Sequence, residues 1–412
     1  MNSSVRGVYA ATGAVLADVP PGDVSRPIAP PLAQSGGSPA AAGRIGGIDA
    51  ARGIAMILVC LSHVRIHLVQ SAPVLYELLT DVTRLATPTF LLLSGFVAAH
   101  VLSSDQKDAR AALLDRALFL LLVGHLLIGL SDLSTASVGE WLFARVVVTD
   151  AIGVCLLFAV LMRRRSARLL FACGAALMLL SWPAAIMIQP ESEAGRALGA
   201  VLLHVRSVHS GLVDAAIVPY LGLFLVGMGL RKWTDRDGQR DGEGALARRL
   251  FVIGGLAVGC AVLGVACWHL AATSGLTAEL PLDVRAVIRS TLHPGSKLPP
   301  SPAYFLAYAG GGLIIAGWCV MCRPRRLMQP FVEWTAVIGR ASLMCFILQD
   351  WLLRLVPAVT ALDELRSPAF WLGYFAATVV VLHWAAQRWR GVRGNRFLTV
   401  GLRSFLRSRA AV

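Results

Sequence analysis

"RIGGIDAARGIAMILVCLSHVRIHL", residues 44–68, decides the fold. From Ile48 to Leu68 the run has the length and apolar character of a membrane-crossing helix, since about 20 mostly apolar residues span about 30 Å of hydrocarbon. Yet Asp49, Arg52, His63, Arg65 and His67 lie within or beside it. An Arg inside a span costs about 2.5–3.5 kcal/mol on insertion scales, so such groups should face protein or water and have partners.

Similar runs recur along nearly the whole chain, at 48–68, 85–103, 113–130, 141–162, 168–188, 212–230, 250–272, 301–322, 332–356 and 369–389. With 56% hydrophobic and only 15% charged residues in 412, the composition excludes a soluble domain of this length. The length of the runs fits helices rather than barrel strands, which would alternate in short segments. The expected fold is an all-α integral membrane protein, a bundle of about ten transmembrane helices over residues 44–390. Residues 1–43, with "VPPGDVSRPIAPPLAQSGGSPAAAG", are rich in Pro, Gly, Ala and Ser and read as a disordered tail without the plan of a secretory signal. Residues 391–412 read as a basic tail.

Charge sorts the connections. Arg163, Arg164, Arg165 and Arg168 follow the fourth run; Arg231, Lys232, Arg236, Arg240, Arg248 and Arg249 follow the sixth; Arg323, Arg325 and Arg326 follow the eighth. By the positive-inside rule these connections and both termini are expected in the cytoplasm, with the protein in a bacterial inner membrane. The asymmetry accounts for much of the net charge of +14, so a nucleic-acid partner is not required. The long connections 189–211 and 273–300 are expected outside, where His209 and Lys297 could hold a hydrophilic acceptor. The eight cysteines all lie in apolar runs and read as small buried hydrophobes; Cys319 and Cys322 form a lone C-x-x-C at a run's end. No Gly-x-Ser-x-Gly, His-Glu-x-x-His or phosphate-loop motif is present, and no metal is expected.

Arg52 and His63 are eleven positions apart, which at about 100° per residue returns to within roughly 20° of one helical face, about 16 Å apart along the axis. Asp49, at i−3 from Arg52, is its candidate partner. Read alone, this stripe could be a snorkelling Arg and a hydrogen-bonded core His, or a functional device.

"IDAARGIAMILVCLSH" resembles the opening of the acyltransferase-3 family, in which an Arg, ten residues and a His mark the first helix. "TPTFLLLSGFVAA" (87–99) is similar to that family's Phe-rich second helix ending in Ser-Gly-Phe, here Ser94, Gly95 and Phe96, and "KLPPSPAYFLAYAGGGL" (297–313) resembles a region of the related heparan-glucosaminide N-acetyltransferase-like branch. "IGRASLMCFILQDWLLR" (338–354) keeps a Gly-x-x-Ser-Leu pattern but has Phe346 and Gln349-Asp350 where relatives often have Tyr-x-x-His. The resemblance implies transfer of an acyl group, acetyl or succinyl, from cytoplasmic acyl-CoA to a hydroxyl or amine of an envelope saccharide. His63 would then be the catalytic base or a transient acyl carrier, Arg52 and Asp49 would serve the donor, and Ser94, Lys297 and His209 would bind substrate. His100, His125, Arg145, Asp150, Asp214, Asp350 and Arg354 are candidates to line a polar cavity. A polytopic transporter or flippase, and a non-catalytic subunit of glycan assembly, are the competing readings.

Overall fold

The computed structural model describes residues 45–103, 109–131, 146–188, 190–203, 215–238, 242–295 and 297–393. Nearly all of these are helical, and no β-strand occurs among them. In chain order the helices are α1 (Gly46–Val64, extended by a tighter turn over Arg65–Leu68), α2 (Pro73–Thr83), α3 (Ala86–Ser103), α4 (Ala109–Leu130), α5 (Val148–Met162), α6 (Ala167–Met187) and α7 (Glu193–Leu203). They continue with α8 (Ile217–Gly238), α9 (Gly242–Thr273), α10 (Leu282–Leu292), α11 (Pro302–Cys322), α12 (Gln329–Arg340), α13 (Ser342–Thr360) and α14 (Pro368–Arg393).

Among the described residues, eight helical segments are long and apolar enough to cross a membrane. Helix α5 is apolar but shorter, and α8 is 22 residues long with its charges gathered in its last turns. The described residues of all ten apolar runs are therefore mostly helical. Three details differ from the sequence expectation. The second run is preceded by α2, whose Pro73 opens it at a position where a missing N–H costs nothing. The ninth run divides at Ala341, where the backbone leaves helical geometry between α12 and α13. The long connections carry short amphipathic helices, α7 and α10. The two tails expected at 1–43 and over most of 391–412 lie outside the described residues.

Small residues set the bundle's closest contacts. A Cβ on Gly53 would stand 1.9 Å from the carbonyl oxygen of Thr335, and one on Gly339 would stand 1.8 Å from that of Asp49. Helices α1 and α12 thus cross backbone against backbone, the device expected where lipid supplies no hydrophobic drive between helices. Gly95 and Gly227 do the same for α3 and α8, against the carbonyls of Phe224 and Leu92 at 2.0 Å each. Gly254 and Gly310 bring α9 against α11. Gly47 rests on Val320, so the start of α1 meets the end of α11 and the two helices run antiparallel.

Helix α3 is apolar all round and runs through the interior, as such helices must. Helix α9 is the opposite case: only 17% of its apolar window is buried, and Leu256, Val262, Leu263 and Leu270 stand exposed toward where lipid would lie.

Candidate functional site

The ends of α1 present two polar centres. At the first, Asp49 and Arg52 are held by the α12–α13 break and by α3. The Arg52 guanidinium donates through Nη2 to Ser342 Oγ at 2.8 Å, stands 3.9 Å through Nη1 from Asp49 Oδ1, and lies over the Phe90 ring at 5.4 Å. The sequence reading anticipated Asp49 alone. Ser342 is the serine of the Gly-x-x-Ser-Leu pattern, and Gly339 of the same pattern sets the approach of α12 to α1. That late motif therefore builds the seat of Arg52. A guanidinium over an aromatic face gains about 0.5–2 kcal/mol as it is desolvated.

The second centre forms around Asp350. This carboxylate is buried, 3% exposed. Three groups converge on its Oδ1: His63 Nε2 at 3.6 Å, Arg354 Nε at 3.4 Å and Gln349 Nε2, which donates at 2.9 Å. A buried carboxylate without such company would be strongly destabilising, whereas a paired and hydrogen-bonded one is tolerated. Helix α13 turns π-helical over Trp351–Leu355 directly after Asp350, an irregularity frequent at functional sites. Two bonds anchor that turn: Trp351 Nε1 donates to the Leu127 carbonyl at 2.8 Å, and the Tyr374 hydroxyl donates to the Leu352 carbonyl at 2.6 Å. Gln349 thus stands where the pattern has His, and the next residue, Asp350, is the acid that faces the first helix's own His. The available signal was an Asp within an apolar run followed by Arg at i+4; on sequence alone it was read only as cavity lining.

A second imidazole–carboxylate pair lies on neighbouring helices. His125 Nδ1 is 3.0 Å from Asp150 Oδ2, and that oxygen also accepts from the Val147 N–H at 3.0 Å, satisfying an orphan donor at the start of α5. His125 lies in the part of α4 that the Trp351–Leu127 bond joins to α13.

The remaining candidates disperse. His67 stacks on Trp371 with ring centroids 3.6 Å apart and planes within 4°, so it is held in an aromatic contact of α14. Ser94 is buried in α3, with no hydrogen-bond partner for its hydroxyl among the described residues, while its neighbour Gly95 serves the α3–α8 crossing. Lys297 is exposed in the loop before α11, bridged to Pro300. The antiparallel packing of α1 and α11 puts that loop at the His63 end of the bundle. His100 ends α3, at the opposite end of the bundle from Lys297. His209, Arg145 and Asp214 lie outside the described residues.

The basic connections gather at one end of the bundle. Lys232 Nζ donates to the carbonyls of Arg163 and Arg165 at 2.5 and 2.6 Å, and Arg323 pairs with Glu243 at 2.7 Å. A Cβ on Gly46, at the start of α1, would touch the Arg323 guanidinium. Arg52 is therefore nearer this basic end, and His63 is toward the opposite one.

A family model described as an acyltransferase domain, that of the acyltransferase-3 family, matches residues 45–385. No curated protein matches the chain. No solved structure matches it.

Proposed function

The chain belongs to the acyltransferase-3 family and is a membrane acyltransferase, and from that premise we propose that it carries an acyl group from acyl-CoA on the cytoplasmic side to a hydroxyl or amine of an envelope saccharide on the other. The observation that carries the reading is His63 opposed by the buried Asp350, on a helix whose other end holds Arg52 toward the basic face.

In this reading the acceptor oxygen or nitrogen attacks the thioester carbonyl carbon as His63 takes its proton. The tetrahedral intermediate then collapses, the C–S bond breaks, and the proton passes to the departing CoA sulfur. Asp350, 3.6 Å from His63 Nε2, stabilises the cation the imidazole becomes on taking the proton. Gln349, which donates to Asp350 Oδ1, and Arg354, 3.4 Å from the same oxygen, orient the carboxylate.

Arg52 is assigned to a phosphate of the donor, for which a planar fork of donors is suited. Its bond to Ser342 fixes the guanidinium's direction, and Asp49 balances part of its charge. Ser94, Lys297 and His209 remain assigned to substrate, with Lys297 at the acceptor end.

The test compares the acyl substituents of envelope glycans in cells with the gene, without it, and with the gene encoding His63→Ala. A particular acetyl or succinyl group should vanish on deletion, return with the wild-type gene and stay absent with His63→Ala. Unchanged glycans on deletion would overturn the saccharide acceptor; full restoration by His63→Ala would overturn the role of His63.

A further inference from the structure

Of the two imidazole–carboxylate pairs, His125 and Asp150 have the closer geometry. His125 Nδ1 stands 3.0 and 3.1 Å from the two oxygens of Asp150, whereas His63 Nε2 is 3.6 Å from Asp350. An ionised carboxylate only accepts, so the bond assigns a proton to Nδ1 and makes Nε2 the nitrogen at which the ring gains or loses one. Asp150 is fixed in turn, because its Oδ2 also accepts from the Val147 N–H at 3.0 Å. A carboxylate that sets an imidazole's tautomer and direction is an arrangement suited to proton transfer.

This pair lies beside the first. Side chains three or four positions apart share a helix face. Ile128 thus marks the face of His125, Val59 and Cys60 that of His63, and Phe346 and Leu353 that of Asp350, while Val147 lies one turn before Asp150. All of these apolar residues belong to one packed cluster, so both pairs border it. The backbone repeats the link. Helix α4 is π-helical over Phe119–Gly124, immediately before His125, and α13 is π-helical over Trp351–Leu355, immediately after Asp350. The Trp351–Leu127 bond joins these two irregular turns, of a kind frequent at functional sites. Neither imidazole is sealed: 17% of the His63 side chain and 15% of the His125 side chain stay accessible.

On the reading of acyl-CoA as donor, we propose that His125, oriented by Asp150, is the general acid of the transfer, which protonates the departing CoA sulfur while His63 takes the acceptor's proton. As the acceptor oxygen or nitrogen bonds to the carbonyl carbon, its proton goes to His63. As the C–S bond breaks, the electron pair stays on sulfur, and a protonated His125 gives it the Nε2 proton. The products of that step are neutral CoA thiol and a neutral imidazole. A proton then passes from His63 to His125 through solvent, which resets both rings with none gained or lost overall. Expelling a bare thiolate among packed helices would leave an uncompensated charge in a low dielectric, and an acid at the sulfur removes that cost.

The experiment uses membranes bearing the full chain, supplied with saturating radiolabelled acetyl-CoA or succinyl-CoA. Free CoA released above the level of gene-deleted membranes gives turnover whatever the acceptor, and label in glycan is scored beside it. His125→Asn can set its amide where Nδ1 stood and keep a donor to Asp150, but it cannot pass on a proton. It should lower turnover by about 10²–10⁴-fold, as should His125→Ala, with acyl-CoA affinity by equilibrium binding within about twofold of wild type. Asp150→Asn keeps an acceptor for the Val147 N–H and should lose a smaller factor. Because the two residues act as one unit, the double variant should be no slower than His125→Asn alone. His125-dependent release of CoA with no label in glycan would support the general acid while overturning the saccharide acceptor. Turnover within about threefold of wild type in a monodisperse His125→Asn protein would overturn the proposal, since a pair that only pins α4 to α5 survives that change. So would a loss of donor affinity as large as the loss of turnover, or a double variant whose loss is the product of the separate losses.

Discussion

Replacing Asp350 by Asn keeps the side chain's size and can keep the contact with Gln349, but removes the charge that faces His63. At 3.6 Å and an effective dielectric constant of about 20, the attraction between an imidazolium and a carboxylate is about 4.6 kcal/mol, and it falls to about 1 kcal/mol in water. The larger figure is an upper bound, because Arg354 shares the same oxygen at 3.4 Å and already neutralises part of its charge. Once the carboxylate is gone, the retained Arg354 cation opposes a positive His63, which restores some of the penalty. Turnover is therefore expected to fall between about 10²- and 10³-fold. The assay is transfer of radiolabel from acyl-CoA into the glycan fraction of membranes bearing the variant, normalised to monodisperse protein. Donor affinity, measured separately by equilibrium binding of acyl-CoA, should stay within about twofold of wild type, because the charge lies about 16 Å from Arg52 along α1. Retention of more than half the wild-type turnover in well-folded Asp350→Asn would refute the pairing as the source of the base's strength. A comparable collapse in donor affinity would place Asp350 in the donor site instead.

Other outcomes follow from the same geometry. His63→Ala should insert normally and lose about 10²–10⁴-fold in transfer with donor affinity retained, read by the same two assays. Arg52→Ala should chiefly weaken donor binding, and Arg52→Lys should recover only part of it, because a point charge cannot reproduce the fork held by Ser342; equal donor affinity in wild type and Arg52→Ala would make Arg52 a packing residue. Gly53→Leu and Gly95→Leu should sharply lower the yield of monodisperse protein, since a first side-chain carbon would already lie about 2 Å from a facing carbonyl; wild-type yield would refute those crossings. Reporters fused after Arg165, Arg240 and Arg326 should behave as cytoplasmic, whereas labels near Ser192 and Gly295 should react from outside; external labelling after Arg240 would reverse the orientation.

The helices were legible because each apolar run is bounded by charge or by turn residues, and membrane burial writes that pattern strongly along a chain. The breaks inside helical runs were not. The backbone leaves helical geometry at Ala341, two residues beyond Gly339, which lies against the Asp49 backbone, a contact 290 positions away. The site divided in the same way. Arg52 and His63 announced themselves by shared face and improbable setting, both local properties. Asp350 was visible as a charge in an apolar run, but its partner across the bundle could not be read from spacing, since His63 and Asp350 meet only after α1 and α13 are brought together. Phe90 and Ser342 belonged to recognisable motifs, yet their tie to Arg52 appears only in the packed structure. Gly95 shows the converse: a motif residue beside a candidate serine turns out to serve helix approach.

The central claim is that acyl transfer is vectorial, entering at the basic end of α1 and leaving at the His63 end. Sealed vesicles of known orientation test it most directly, with the cytoplasmic face outward, glycan acceptor enclosed, and radiolabelled acyl-CoA supplied only outside. The account predicts label on enclosed glycan with the wild-type protein and none above background with His63→Ala. Label appearing on glycan only when acceptor and acyl-CoA are placed on the same side would contradict it.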